Sequence, residues 1–357
     1  MPLSIPVVHD RCHRLHEPGG EIWVGVRTPG TEVPERIERI IEAVGAAGAR
    51  FVPSEGVPDE VALRFHDPEM IDWLRDAWGQ WEESGMTEDP GQDRVVPYLF
   101  PHPGLVGDLA IPVPAAVTAR AGRWCFDTMT LIGPGTWHAA RGALDTAVTA
   151  AALAATRGTA YACCRPPGHH GTRDAYGGSC YLNNSAAAAG RMRDALDGPV
   201  AILDIDAHHG NGAQSIFWSD GTVATGSVHV DPGAGWFPHF LGFAGERGAG
   251  DGEGANLNLP LAPGSGDGPW LEAVAELCGF ARSAGVRGLV VALGVDAAGG
   301  DPESPLEVST DGYRAAGELL GDLELPTAVI QEGGYDLDRI GELVVATLEG
   351  VEAGRAT

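Results

Sequence analysis

A chain of 357 residues, 44% of them hydrophobic, is long enough to bury a large core, and at this length an α/β chain is often a single domain. Its 49 acidic residues against 23 lysines and arginines give a formal net charge of −26, which argues against nucleic-acid binding, where the opposite sign is needed. No apolar run approaches the ~20 residues of a membrane span and no signal-peptide pattern opens the chain, so the reading is a cytoplasmic protein without membrane contact.

Every basic side chain is arginine, which reads as base-composition bias and not as function. The six cysteines are scattered without a metal-type CxxC pair and are expected as reduced, buried thiols. An acidic surface serves solubility, and it also steers cations inward.

In chain order, His9, His13 and His16 come first, as surface or mouth-lining groups more than a second metal site. Residues 34–44 and 68–81 have amphipathic helical periodicity, with Trp73, Trp78 and Trp81 in a core or an interface. Residues 89–114, rich in Pro and Gly, read as a long insertion loop. Residues 136–156 are Ala-rich and predict a long helix.

Residues 160–164 predict a strand that runs into Arg165-Pro166-Pro167-Gly168-His169-His170. Pro-Pro-Gly stiffens this turn, and imidazoles that titrate near neutrality suit proton transfer. A surface or metal-bridging pair is the plainer reading. Residues 200–205 are apolar and rich in β-branched side chains, which predicts a buried strand. The period of two then sends Asp204, Asp206 and His208 to one side of its C-terminal end. A divalent metal would relieve their repulsion, and ligand sites in open α/β sheets lie at such ends. Otherwise the acidic strand end would cap the next helix.

Residues 250–254 mimic part of a dinucleotide fingerprint, but no strand precedes them and no helix follows, so they read as a loop. Residues 288–295 predict a buried strand with Asp296 at its end, then Asp301-Pro302-Glu303. Thr327–Gln331 predicts another, running into Glu332-Gly333-Gly334-Tyr335. Taken alone, Asp296 would be a helix cap and Tyr335 a core aromatic.

From residue 134 to 348 the chain carries, in one order, PGTWHAA, RPPGHH, GGSCYLNN, LDIDAHHGNG, SVH, FPHFLG, LGVDAAGGDP and EGGY. The series resembles the histone deacetylase and acetylpolyamine amidohydrolase family of the arginase/deacetylase superfamily. PGTW and FPHFLG look most like its bacterial acetylpolyamine branch. The resemblance implies one α/β domain over residues 1–357: an open, mostly parallel central sheet, helices on both faces, and long loops at the C-terminal strand ends.

It also implies roles. Asp206, His208 and Asp296 would hold Zn2+ (or Fe2+), and two carboxylates with one histidine leave the open position a catalytic site needs. His170 would be general base and acid, and His169 an electrostatic helper oriented by Asp204. Asn211 partners His170 where many relatives have an aspartate, and Tyr335 would donate to the oxyanion. Asp204, Asp206, His208 and Ser227 match a structural K+ site. Gly178, Trp236 and Phe237 would line the substrate tunnel with Ser179, where the family usually has an aromatic. Glu303 matches the gatekeeper glutamate of eukaryotic polyamine deacetylases. The insertion at 89–114 would lie beside the active-site mouth and help build a homodimer. The implied reaction is hydrolysis of the N-acetyl amide of a small cationic amine. The alternatives are a protein acetyl-lysine deacetylase and a biosynthetic deacylase acting on a bulkier specialised metabolite.

Overall fold

A computed structural model describes residues 2–356 of the chain. Its strands are β1 (Val7–His9), β2 (Glu21–Trp23), β3 (Val26–Thr28), β4 (Phe51–Pro53), β5 (Thr159–Ala162), β6 (Val200–Asp204), β7 (Val223–Val230), β8 (Asn256–Leu261), β9 (Gly288–Leu293) and β10 (Thr327–Gln331). Eight of them form one sheet in the order β4-β1-β5-β10-β9-β6-β7-β8, and every adjacent pair is parallel. The other two, β2 and β3, form a separate antiparallel hairpin.

Neighbouring residues along each strand go to opposite faces, and both faces are covered. Val200, Ile202, Val290, Ala328 and Ile330 pack into one core, while Ala201, Leu203, Leu289, Val291 and Val329 pack into the other. Burial on both sides is why these strands read as unbroken apolar runs. The strand expected over 288–295 stops at Leu293, because Val295 N turns away to donate to Gly333 O at 3.1 Å.

The expected helices form with small shifts, as Glu35–Ala46, Pro68–Glu83 and Thr136–Arg157. Asp67 caps the second of these through Glu69 N, with Pro68 in the first turn. Trp73 and Trp81 are buried and Trp78 packs against the same core. Helices Thr310–Gly321 and Ile340–Arg355 cross so closely that their backbones touch. A Cβ on Gly317 would lie 2.2 Å from Thr347 O, and one on Gly350 2.1 Å from Arg314 O.

The N-terminal histidines require a correction. His13 and His16 are buried, 3% and 1% exposed, because the short 3-10 helix Arg11–Leu15 packs on Thr136–Arg157. His16 Nδ1 lies 3.0 Å from Thr136 Oγ1. Residues 89–114 are largely irregular, with one short helix at Pro103–Val106. They reach the β2–β3 hairpin through an Arg27–Asp93 ion pair of 2.5 Å. Among the described residues, no helix is long and apolar enough to cross a membrane.

Candidate active site

The order β5-β10-β9-β6 places four strand ends side by side, so the turns that leave them converge above the sheet. Asp206, His208 and Asp296 each offer a donor atom, all within 4.8 Å of one another. His208 Nδ1 lies 3.2 Å from Asp206 Oδ1 and 3.1 Å from Asp296 Oδ2. Backbone amides fix the remaining oxygens: Gly333 N donates to Asp206 Oδ2 and Ala207 N to Asp296 Oδ1, both at 2.8 Å. The approach is so close that a Cβ on Gly294 would lie 1.9 Å from Asp206 Oδ2.

Both carboxylates are fully buried. Burial, and after it the Asp206 charge, push the Asp296 carboxyl up to about 7. Against burial, the hydrogen bonds to Asp206 and Asp296 hold the His208 ring well above 6.5, so a positive charge already lies between the two carboxylates where a divalent cation would take the place of its proton. One nitrogen and two oxygen donors beside an open cavity fit a divalent ion of the zinc type.

His169 and His170 stand next to this cluster, both buried, with ring centres 3.9 Å apart. His169 Nδ1 is 2.9 Å from Asp204 Oδ2. Burial opposes its charge, yet Asp206 and Asp204 raise it to about 10. His170 Nδ1 is 2.6 Å from Asn211 Oδ1, and Asn211 Nδ2 donates to His170 O at 3.2 Å. The second bond orients the amide so that its oxygen faces the ring. Nδ1 therefore carries the hydrogen and Nε2 the lone pair. Burial, then the charges of His169 and His208, hold His170 well below 6.5, so it is neutral and able to accept a proton.

The Tyr335 loop is braced from several sides. Asp301 Oδ2 accepts from Tyr335 N at 2.8 Å, while its Oδ1 accepts from Glu303 N at 3.0 Å. Fully buried Arg36 donates to Glu332 O and Gly334 O, both at 2.6 Å, and its guanidinium lies 4.6 Å from the Tyr335 ring centre. Burial pushes the Tyr335 hydroxyl well above 10, so it remains a donor. Glu332 Oε2 accepts from Gly168 N at 2.6 Å and His169 N at 3.1 Å, and Oε1 from Ser185 Oγ at 2.9 Å. That carboxylate ties the tyrosine loop to the histidine turn. Sequence reasoning assigned no role to Arg36 or Glu332. Arg36 left one signal: it falls four residues before Ile40 on the apolar stripe of its helix, where a charge is out of place.

A cavity of about 510 Å³ opens over these groups, with His170, His208 and Tyr335 in its lining. Gly178, Ser179, Trp236, Phe237 and Glu303 line it as well, so every residue expected on the substrate side is brought there. Phe237 meets His170 edge-on at 4.9 Å. Ser179 sits in the left-handed region at φ 61°, held by its N–H to Thr130 Oγ1 at 2.9 Å. Asp127 Oδ2 accepts from Gly178 N at 2.6 Å. Phe126 stacks with Phe237 at 6.3 Å and lies on Gly177, where a Cβ would be 2.3 Å from its ring.

The β2–β3 hairpin contributes Glu21, Trp23 and Thr28 to the lining, and residues 89–114, expected beside the mouth, contribute none. Burial, then the Glu303 charge, raise Glu21 to about 7. Thr31 Oγ1 donates to Glu303 Oε1 at 2.7 Å. Neither the hairpin nor Glu21 was expected from sequence, since its strands are only three residues long. Below the centre, Ser227 lies opposite Asp204 across the β6–β7 register, and its Oγ accepts from Gly210 N at 3.3 Å.

The Histone deacetylase domain model matches residues 30–351. The chain belongs to the histone deacetylase family. Acetylpolyamine amidohydrolase 1 of Pseudomonas aeruginosa is 38% identical over 351 residues, spanning 97% of this chain and 98% of that protein. Acetylpolyamine amidohydrolase of Mycoplana ramosa is 36% identical over 97% of this chain and 99% of its own length. Among solved structures, the acetylpolyamine aminohydrolase of Burkholderia pseudomallei superposes with a TM-score of 0.92 at 34% identity, covering 98% of this chain and 99% of that one. This histone deacetylase family member is therefore an enzyme of the deacetylase and amidohydrolase type, with the arginase/deacetylase fold of that neighbour.

Proposed function

We propose that this enzyme is a zinc-dependent amidohydrolase that cleaves the N-acetyl amide of a small cationic amine, such as an acetylpolyamine, into acetate and free amine. The observation that carries this reading is a single cavity that joins His170, His208 and Tyr335 to the carboxylates of Glu21 and Glu303. Asp206, His208 and Asp296 would hold the zinc, which when bound polarises the amide carbonyl and lowers the pKa of water from about 15.7 towards about 7.

The chain's own residues would do the rest. His170 Nε2 takes a proton from the attacking water and returns it to the departing amine nitrogen. The Tyr335 hydroxyl donates to the carbonyl oxygen as it gains negative charge. His169, kept cationic by Asp206 and Asp204, would add favourable charge beside the reacting centre. Glu21 and Glu303 would meet a remote ammonium of the substrate. Asp204, Asp206, His208 and Ser227 would hold a structural K+. The free cysteines suit a reducing cytoplasm. Tyr98, Leu105 and Leu109 are 73%, 66% and 77% exposed, and such an apolar run on 89–114 favours a homodimer that covers it.

A second reading, a deacylase for a bulkier metabolite, is favoured by Ser179 alone, a small side chain in the cavity lining where the resemblance implies an aromatic. A kinetic screen of acetylated polyamines, acetyl-lysine peptides and longer acyl amides separates the readings. The expected outcome is a kcat/KM at least about tenfold higher for the acetylated polyamines. A preference for bulky neutral amides would replace the first reading with the second.

A further inference from the structure

The end of the sheet remote from the reaction holds a second cavity, of about 340 Å³, where the chain enters β1, β4 and β5. Arg50, Arg157 and Arg355 line it, each from a different element: the residue before β4, the last turn of Thr136–Arg157 and the last turn of Ile340–Arg355. Among the described residues, neither Arg50 nor Arg157 makes a side-chain hydrogen bond or an ion pair. Arg355 spends Nη1 on Leu325 O at 2.5 Å. One carboxylate, Glu352, also lies in the lining; its Oε1 accepts from Ser4 N and Ser4 Oγ at 2.6 Å and from Ile5 N at 2.9 Å on the same wall, which leaves three guanidinium groups against one carboxylate.

A separate observation concerns Thr159, which also lines the cavity. It is 8% exposed, and its Oγ1 is buried without a hydrogen-bond partner. A buried hydroxyl left unpaired is costly, and it tends to mark a place where something else supplies the partner. Cations at helix C-termini are favoured by the helix dipole, which accounts for Arg157 and Arg355 individually. It does not account for Arg50, for the convergence of the three on one cavity, or for the unpaired hydroxyl. In a chain of net charge −26, long-range attraction works against anions, so any anion bound here is held by local contacts.

We propose that Arg50, Arg157, Arg355 and Thr159 form a binding site for a phosphate group, separate from the amide-hydrolysing centre. Guanidinium forks match tetrahedral oxyanions in charge and geometry, and Thr159, whose buried hydroxyl is without a partner, belongs to the same wall. The cavity has room for a phosphate ester as well as for the free ion.

Isothermal titration of the metal-loaded protein with inorganic phosphate, and separately with glycerol 3-phosphate, tests the site against sodium chloride at equal ionic strength. Saturable binding of one ligand per chain is expected, absent with chloride. Arg157→Ala and Arg50→Ala should each weaken it about tenfold or more. Thr159→Val, which keeps the side-chain shape, should weaken binding without lowering the melting temperature of the free protein. Tighter binding of inorganic phosphate would mark the free ion as the ligand, and the reverse order a phosphate ester. No saturable binding of either up to about 10 mM, where Kd values weaker than millimolar lie, would overturn the proposal. So would binding that Arg157→Ala and Thr159→Val leave unchanged. Turnover of acetylated amines, measured in parallel, stays at the wild-type rate in these variants, so the outcome is independent of the catalytic reading.

Discussion

Tyr335 and Glu21 both line the cavity, and in the proposed reaction each would act through the protonation state its surroundings impose. The tyrosine hydroxyl, raised by burial, stays a donor, and in the proposed mechanism it would be useful mainly once negative charge has developed on the carbonyl oxygen. Tyr335→Phe should therefore lower kcat by about a hundredfold or more with little change in KM. Steady-state kinetics that show near-wild-type turnover would move the oxyanion role to another group. Glu21 titrates near 7, so its charge is present above that pH and is lost as the pH falls through it. A polyamine ammonium stays protonated over the same range. KM for an acetylated polyamine should thus rise as the pH falls from about 8.5 to about 5.5, and Glu21→Gln should flatten that dependence. A wild-type KM independent of pH would remove Glu21 from ammonium recognition.

At the scale of elements, the centre depends on how two loops are fastened together. The turn after β5 carries the histidines and the loop after β10 carries the tyrosine, and Glu332 bonds one to the other. Arg36 holds the same loop from the helix Glu35–Ala46. Small errors in such positioning are expensive in rate. Glu332→Ala should lower kcat by about tenfold or more at nearly constant KM, with part of the loss recovered in Glu332→Gln, which keeps the acceptor oxygen. Equal losses of stability and unchanged kcat in both variants would reduce Glu332 to a packing role. The left-handed Ser179 belongs to the same scale, since its position is set by Thr130 and that of Gly178 by Asp127, on a separate segment.

Two expectations belong to the whole molecule, metal-linked stability and self-association. Asp206, His208 and Asp296 are drawn from two separate strand ends, and an ion that bound all three would bind the folded chain and not the unfolded one, so metal binding should be linked to stability. Chelation should lower the melting temperature and zinc should restore it together with activity. A chelated protein that keeps both would exclude the ion from the mechanism. The exposed apolar side chains of residues 98–113 predict association, read by light scattering as a dimer at micromolar concentration. A monomer there would remove the homodimer from the proposed reading.

Much of this was legible in the residues alone. Strands buried on both faces have to be continuously apolar, so β6, β9 and β10 stood out, and the polar residues after them had to be either paired or ligating. The motif series then implied a role for each of Asp206, His208, Asp296, His170 and Tyr335, and the fold brings these side chains together around one site. Other features became visible only in three dimensions. The β2–β3 hairpin is too short to leave a periodic signal, yet it delivers Glu21 and Trp23 to the cavity. His13 and His16 look like surface groups until a 3-10 turn buries them against a long helix. Glu332 bonds a turn 163 and 164 residues away in the chain, and Arg50 meets Arg157 and Arg355 across one cavity. Local periodicity reports which face of an element is buried. It carries no information on which distant elements will pack together, because that depends on strand order and on how the layers close.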